Sequence, residues 1–544
     1  SSSPTLTSLR NQLNEAWFHP ETEVVQARLQ QHGLNFQARQ TITAQAASWV
    51  TTLRADPHPN LMESFLAEYG LSTDEGIALM CLAEAYLRVP DTPTLDALIR
   101  DKIGSADWAR HQQGADSLLI NASTWALMLT GKLLRQDQDA NSLGGSLRKL
   151  VQRIGEPVVR TAVSQAMKVM GQQFVLGRTI DEALDNANNP QGFLHSFDML
   201  GEAARTAEDA ERYFASYSKA IKAIGAQASQ SYVHANSGIS VKLSALHPRY
   251  ESVNRERVLA ELVPKLNALA EQACAANIPL NIDAEEAERL DLSLDVIELA
   301  LRNPKLANWE GFGIVVQAYA KHCLPVLEWI AALATELQRK IAVRLVKGAY
   351  WDAEIKQAQV LGLPAYPVFT RKVSTDVSYL AGARFLLSHR AHIYPQFATH
   401  NAQTLAAIFE IAGADKSGFE FQRLHGMGEA LHHLVYAQTQ QLVRIYAPVG
   451  VHEDLLAYLV RRLLENGANS SFVNQLLDTD VPISTLIQDP ISTVESLSLI
   501  PHPKIPLPPE LFKDRQNSQG WNINQPLMAS ELTSGMEHFQ SKHW

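Results

Sequence analysis

The hydrophobic pattern divides the chain near residue 190. Before that point apolar residues recur at three- and four-residue spacing, as in DEGIALMCLAEAYLRV (74–89) and SLRKLVQRIGEPVVRTAVSQAMKVMGQQFV (146–175). Few β-branched runs interrupt them, so residues 1–190 read as a helical arm and helical domain. From about 195 onward short apolar, β-rich runs alternate with helical stretches. Eight of these runs read as strands: FDML (near 197–200), GISVKL (238–243), IPLNID (278–283), GFGIVVQ (311–317), IAVRLVK (341–347), IYPQFA (393–398), FEFQRL (419–424) and VRIYAP (443–448). Near-continuous apolar runs bounded by Gly, Pro or Asp mark parallel strands covered on both faces. Most gaps hold one helix, and eight such units match the size of a (β/α)₈ TIM-type barrel. An open doubly wound sheet is the rival, but no GxGxxG follows a strand.

The expected fold is therefore α/β, a barrel over 191–490 preceded by an α-helical N-terminal region. Beyond about 490 the chain turns Pro-rich (IPHPKIPLPPELF) and then polar, which reads as a C-terminal arm or linker over 491–544, before a further domain. A length of 544 residues is too great for one core. The net charge of −10 weighs against nucleic acid and against strong attraction to anionic lipid. Cys81, Cys274 and Cys323 are too scattered for a paired-Cys metal site, and their odd number suits a reducing cytoplasm. No signal-peptide h-region and no membrane-spanning apolar run is visible. The chain starts without Met, as a piece of something longer would.

In such a barrel the chemistry lies at the C-terminal strand ends. Strand two closes with Lys242, a cation that is costly to bury without an anion; it reads as a carboxylate or phosphate contact, or as a surface lysine. Strand three closes with Asn281 and Asp283 on one face, an amine or metal contact or a helix N-cap. Strand five carries Arg344 and Lys347 before Gly348, Tyr350 and Trp351, a set suited to an anionic dinucleotide with a flat ring. More cations follow in YPVFTRK (366–372). His400 after strand six lacks the partner spacing of a metal site, so a cofactor hydrogen bond is the better reading and no metal is expected. On the helix after strand eight, Tyr458, Arg461, Arg462 and Glu465 share one face, either a carboxylate clamp or a solvated Arg–Glu face.

These stretches, SVKLSALHPRYE (240–251), NIDAEEAERLDLSLDVIE (281–298), IAVRLVKGAYWDAEIKQAQ (341–359), IYPQFATHNAQTLAAI (393–408), FEFQRLHGMGE (419–429) and RIYAPVGVHEDLLAYLVRRLLENGANSSFVN (444–474), resemble the proline dehydrogenase module of the proline utilization A family from about residue 20 to 510. The resemblance implies oxidation of L-proline to pyrroline-5-carboxylate by bound FAD. A hydride passes to flavin N5, then electrons pass to a membrane quinone. It implies a cytoplasmic protein that associates transiently with the inner membrane face. Carried over by position, Lys242, Arg461 and Arg462 bind the substrate carboxylate and Asp283 its amine. Leu345, Leu424, Tyr446 and Tyr458 wall the ring, and Arg344 and Gln317 flank the flavin. The remaining FAD contacts implied are Ala284, Val315, Val346, Lys347, Gly348, Ala349, Tyr350, Trp351, Phe369, Thr370, Arg371, Lys372, Thr399, His400, Asn401, Gln422, Arg423, Glu465 and Ser471. Gly382 and Arg423 stand where some members carry Cys, and Arg423 adds a cation near the cofactor. The family also implies a C-terminal pyrroline-5-carboxylate dehydrogenase in a longer protein. Nothing here matches an aldehyde dehydrogenase nucleophile or a basic strand-helix DNA-binding arm.

Overall fold

The computed structural model describes residues 4–58, 174–451 and 472–543, with isolated positions between 75 and 166 and Tyr458. Three helices come first: α1 (Leu6–Ala16), α2 (Glu21–Leu29) and α3 (Phe36–Ala55). A short helix α4 (Ile180–Asn186) then leads into eight strands: β1 (Leu194–Met199), β2 (Gly238–Val241), β3 (Leu280–Ile282), β4 (Phe312–Gln317), β5 (Ile341–Val346), β6 (Ile393–Ala398), β7 (Glu420–Leu424) and β8 (Val443–Val449). They form a closed parallel barrel in chain order, with β8 paired back onto β1 through Leu194 and Arg444. The helices between strands are α5 (Ala207–Gln227), α6 (Arg255–Ala276), α7 (Leu290–Leu301), α8 (Cys323–Leu337), α9 (Trp351–Leu361), α10 (Lys372–Ser388), α11 (Ala402–Ala412) and α12 (Glu429–Thr439). Of the segments read as helical from the sequence, 74–89 lies outside the described residues except for Glu75 and Leu79, whereas 146–175 is described at about half of its positions and is helical at 150, 152–154, 157–159, 161–163 and 165–166.

Alternation along each strand sends one set of side chains outward under the helices and the other into the barrel. The outward set is apolar and buried: Ile239, Val241, Leu280, Val343, Leu345, Phe397 and Phe421 join one hydrophobic core with the helices. The inward set is polar. Arg344 on β5 reaches Ser196 on β1, Ser240 on β2 and Gln422 on β7, bonds that can only cross the interior. Asn281 donates to Gln396 across the same space at 2.8 Å. Small residues make room for this column: a Cβ on Gly313 would lie 2.6 Å from the Asn281 amide.

The N-terminal helices pack on the barrel's outer ring, α1 against α8 and α3 against α11. Trp49 donates to Gln438 at 2.8 Å, and Arg10 reaches Asp295 at 2.8 Å. The C-terminal segment is likewise bound to the barrel. Tyr366 donates to the Pro506 carbonyl at 2.6 Å, and Asn517 to that of Gln359 at 2.9 Å. Among the described residues no helix is long and apolar enough to cross a membrane.

One carboxylate on α9 is set against its surroundings. Glu354 is buried and accepts from the Ala287 amide; burial first, then Glu286 and Glu288, push its carboxyl up to about 8. A carboxyl raised on folding binds its proton more tightly in the native state, so it costs stability as pH rises from the ordinary carboxylate range to about 8. Glu354→Gln should therefore raise the melting temperature by a few degrees at pH 8 and hardly at all at pH 5. Thermal unfolding at the two pH values checks this, and an equal effect at both would refute the assignment.

Candidate active site

The barrel mouth is organised around Asp283, one residue past β3. Its Oδ1 accepts from Arg344 Nη1 at 2.9 Å, and its Oδ2 from Lys242 Nζ at 2.8 Å and from the Tyr446 hydroxyl at 2.6 Å. Lys242 follows β2, Arg344 lies on β5 and Tyr446 on β8, so four strand ends converge on one carboxylate. Asp283 is thus held by two cations and does not serve as a helix cap. The ammonium also donates to the Tyr446 hydroxyl at 3.1 Å and reaches Asp198 Oδ1 at 3.3 Å. Both cations sit near the Tyr446 ring, with the Arg344 carbon 5.1 Å from its centroid.

Burial pushes the Asp283 carboxyl up, but Lys242 and Arg344 outweigh it and hold it below the ordinary carboxylate range. Asp198, more deeply buried and beside Asp283, is held above that range despite Lys242. Lys242 and Arg344 thus set two cations against Asp283, while burial weakens the charge on Asp198. Such a site attracts a carboxylate, while Asp283 supplies the acceptor for an amine.

The residues after β5 form the edge of this mouth. Val346 to Tyr350 are all partly or fully exposed, in contrast to the buried strand before them. Gly348 has φ +143°, and a Cβ there would lie 2.4 Å from the Tyr319 ring. Only glycine lets the chain pass that ring, which leaves the backbone open to a ligand. Lys347 pairs with Asp376 at 2.8 Å, and the Ala349 amide donates to Gln317 Oε1 at 3.4 Å. The other end of that amide donates to the Glu285 carbonyl at 2.9 Å, tying β4 to the β3 loop. Ala284 follows Asp283 and is partly exposed, and Val315 on β4 is paired in register with Arg344. Exposed backbone, a lysine and an adjacent guanidinium have the donor chemistry of a site for an anionic, ring-bearing cofactor.

The model of a family described as "Proline dehydrogenase" matches residues 182–475, more than half of the chain. The chain belongs to the proline dehydrogenase family. Upstream, residues 7–54 match the proline utilization A proline dehydrogenase N-terminal domain, and 61–174 match a model described as the DNA-binding domain of proline dehydrogenase. The bifunctional protein PutA of Escherichia coli K12 is 48% identical over 98% of this chain, and that of Rhizobium meliloti 47% over 99%. The chain spans only 42% and 44% of those proteins. A crystal structure of Bradyrhizobium japonicum proline utilization A superposes with a TM-score of 0.78 at 46% identity, covering 96% of this chain and 53% of that one.

Within this proline dehydrogenase barrel several expected residues lie away from Asp283. Leu345 is a correction: following Arg344 in the strand, it turns outward, is fully buried, and packs at the Gly382 position on α10. Thr370 is held by Glu21 of α2 and accepts from the His502 amide at 2.8 Å. Arg371 donates to the carbonyls of Leu499 and Ile500, so the pair anchors the two terminal segments. Phe369 is fully buried, and its carbonyl accepts from Trp351 Nε1 at 2.7 Å. Lys372 opens α10. The Asn401 side chain caps α11 through the Thr404 amide, and its own amide donates to Thr399 Oγ1. His400 Nε2 accepts from the Leu424 amide at 3.0 Å. Arg423 points outward by alternation with Gln422; burial first, against Glu429, brings its guanidinium down to about 10. Tyr458 is buried, whereas Arg461, Arg462, Glu465 and Ser471 lie outside the described residues.

Asp198 is the site residue that sequence reasoning missed. It stands inside the first apolar run, two places after Ser196, and that i, i+2 polar pair beside outward Phe197 is the available signal. Among the described residues no cluster of His, Cys, Asp or Glu could hold a metal ion.

Proposed function

We propose that this chain oxidises L-proline to pyrroline-5-carboxylate with bound FAD and passes the electrons to a membrane quinone from the cytoplasmic side. The observation that carries the reading is the Asp283 cluster, with Lys242, Arg344 and Tyr446 from four strand ends, in a chain of the proline dehydrogenase family. FAD, when bound, accepts the hydride from the proline carbon next to nitrogen. The residues that would hold it are Arg344, Gln317, the Val346–Trp351 segment with Lys347, and Thr399, His400 and Asn401 on the far side. Glu465 and Ser471 complete the set by position.

The chain's own residues then orient the substrate. Lys242, with Arg461 and Arg462, binds the carboxylate; Asp283 accepts from the amine; Tyr446, Tyr458 and Leu424 wall the ring. Proline must be neutral at nitrogen when the hydride leaves, so the rate should rise with pH. The direct test is the absorption spectrum of the purified protein before and after anaerobic L-proline. A flavin spectrum that bleaches supports the reading. A flavin that stays oxidised moves the substrate elsewhere, and a colourless protein that takes up no added FAD overturns it. Arg461→Met and Arg462→Met should each raise the proline KM by about tenfold or more, or about 1.4 kcal/mol. Unchanged KM in both would remove the clamp.

The name of the model matched by 61–174 raises DNA binding as a second reading. That stretch carries 13 acidic and 11 basic residues, so its net charge offers no cationic excess for phosphate. The chain should leave duplex DNA unshifted at physiological salt; a shift in a gel assay would restore the second reading. We divide the chain into a helical region over 1–190, the barrel over 191–490 and a C-terminal arm over 491–544. A pyrroline-5-carboxylate dehydrogenase in the longer protein accords with the span of its relatives.

A further inference from the structure

Arg344 ties Asp283 to the barrel interior, and its orientation is fixed from below. Its Nε donates to Gln422 Oε1 at 2.6 Å. The other end of that amide, Nε2, donates to Glu420 Oε2 at 3.0 Å. Glu420 in turn accepts from Arg444 Nε at 2.8 Å and Nη2 at 3.2 Å. Arg444 is anchored to the barrel floor by the carbonyls of His234 at 2.6 Å and Asn236 at 2.7 Å. All four side chains are at most 4 % exposed, so water cannot substitute for a lost partner.

The direction of this chain is set by chemistry. A guanidinium only donates and an ionised carboxylate only accepts, whereas an amide does both. Burial opposes ionisation of Glu420, but Arg444, then His234 and Gln422, outweigh it and keep the carboxyl below its ordinary range. Glu420 therefore forces the Gln422 amino group downward, and the amide oxygen is left facing Arg344. With a neutral amide at position 420 the lower half of that constraint is gone: the new amino group can face that of Gln422 donor to donor, and relief by turning Gln422 over sets its amino group against the Arg344 guanidinium instead.

We propose that Glu420 is a positioning residue, which acts through the orientation of Gln422 to hold the Arg344 guanidinium on Asp283. The inference rests on the proline dehydrogenase reading for its kinetic readout, and on this chain's own geometry for the rest. Both polar ends of the Gln422 side chain are engaged within the barrel.

The test uses Glu420→Gln, Gln422→Met and their double variant in the flavin-loaded chain. Each single variant should lower kcat for proline about tenfold with little change in KM, and should shift the bound flavin's midpoint potential in the same direction. The double variant should lose no more than Gln422→Met alone, because the two residues act in series. Additive losses, or a potential left at the wild-type value, would assign Glu420 a merely structural role and overturn the proposal. Should Glu420→Gln not fold, Glu420→Gln with Arg444→Met removes the buried pair together and carries the same comparison. A wild-type chain that neither binds flavin nor responds to proline would defeat the functional reading instead. The relay is then decided by a crystal structure of Glu420→Gln: a turned amide with Arg344 off Asp283 upholds it, and unchanged contacts refute it.

Discussion

Asp283→Asn is expected to lower kcat/KM for proline at least about a hundredfold while flavin is retained. The carboxylate accepts three short hydrogen bonds, two of them from cations. An amide offers one oxygen and turns its amino group toward either Lys242 or Arg344. Losing a hydrogen bond to a charged group costs about 1.5–3 kcal/mol, so one lost contact already gives about ten- to a hundredfold. The variant also removes the acceptor assigned to the substrate amine, and that loss adds in the reactive complex. Kinetics across pH separate the two contributions. Because Lys242 and Arg344 depress the Asp283 carboxyl, its ionisation contributes stability that is present above the unfolded value and lost as pH falls through the folded one. The stability gap between wild type and variant should therefore be widest at neutral pH and close toward acid. A variant within threefold of wild type in kcat/KM, with normal flavin content, would take Asp283 out of the site.

The barrel was legible because its strands are covered on both faces and read as apolar runs between turn residues. Most observed bounds fall within a residue or two of the runs. β1 is the exception: it begins at Leu194, three residues ahead of the run assigned to it. His195, Ser196 and Asp198 break the apolar pattern there, and Ser196 and Asp198 point into an interior that is polar. A single sequence gives no reason to expect that interior. The Glu420–Arg444 pair looks like scattered polarity along two strands until the ring closes and sets β7 beside β8. Asn281 and Gln396 likewise become partners only across the barrel. Thr370 and Arg371, placed among the cofactor contacts by the resemblance, have partners of their own within the fold. Their partners Glu21, Leu499 and Ile500 are more than a hundred residues away, and no local spacing announces them.

The same geometry gives Lys242 a measurable dual role. All three of its protons are engaged, and the Asp198 contact is the longest of the three at 3.3 Å. A substrate carboxylate bound at Lys242 would displace Asp198 first, which is the easier because burial disfavours the charged form of Asp198. Lys242→Met should raise the proline KM about ten- to a hundredfold through loss of that charge-assisted contact. It should also relax Asp283, whose depressed carboxyl depends on Lys242 more than on any other charge. The acid limb of the kcat profile should then move to higher pH, since protonation of Asp283 becomes easier. The ammonium itself is held well above its ordinary value, so its own contribution is constant through neutral pH and is lost only as pH rises far into the alkaline range. Any pH dependence gained between pH 5 and 8 thus reports on the carboxylates that Lys242 faces, Asp283 and Asp198, and not on the missing amine. Steady-state kinetics over that range decide between the roles. A raised KM with a shifted limb fits both contacts. An unchanged KM with a shifted limb would mean that Lys242 only orients Asp283, and a raised KM with a fixed limb would confine it to the carboxylate.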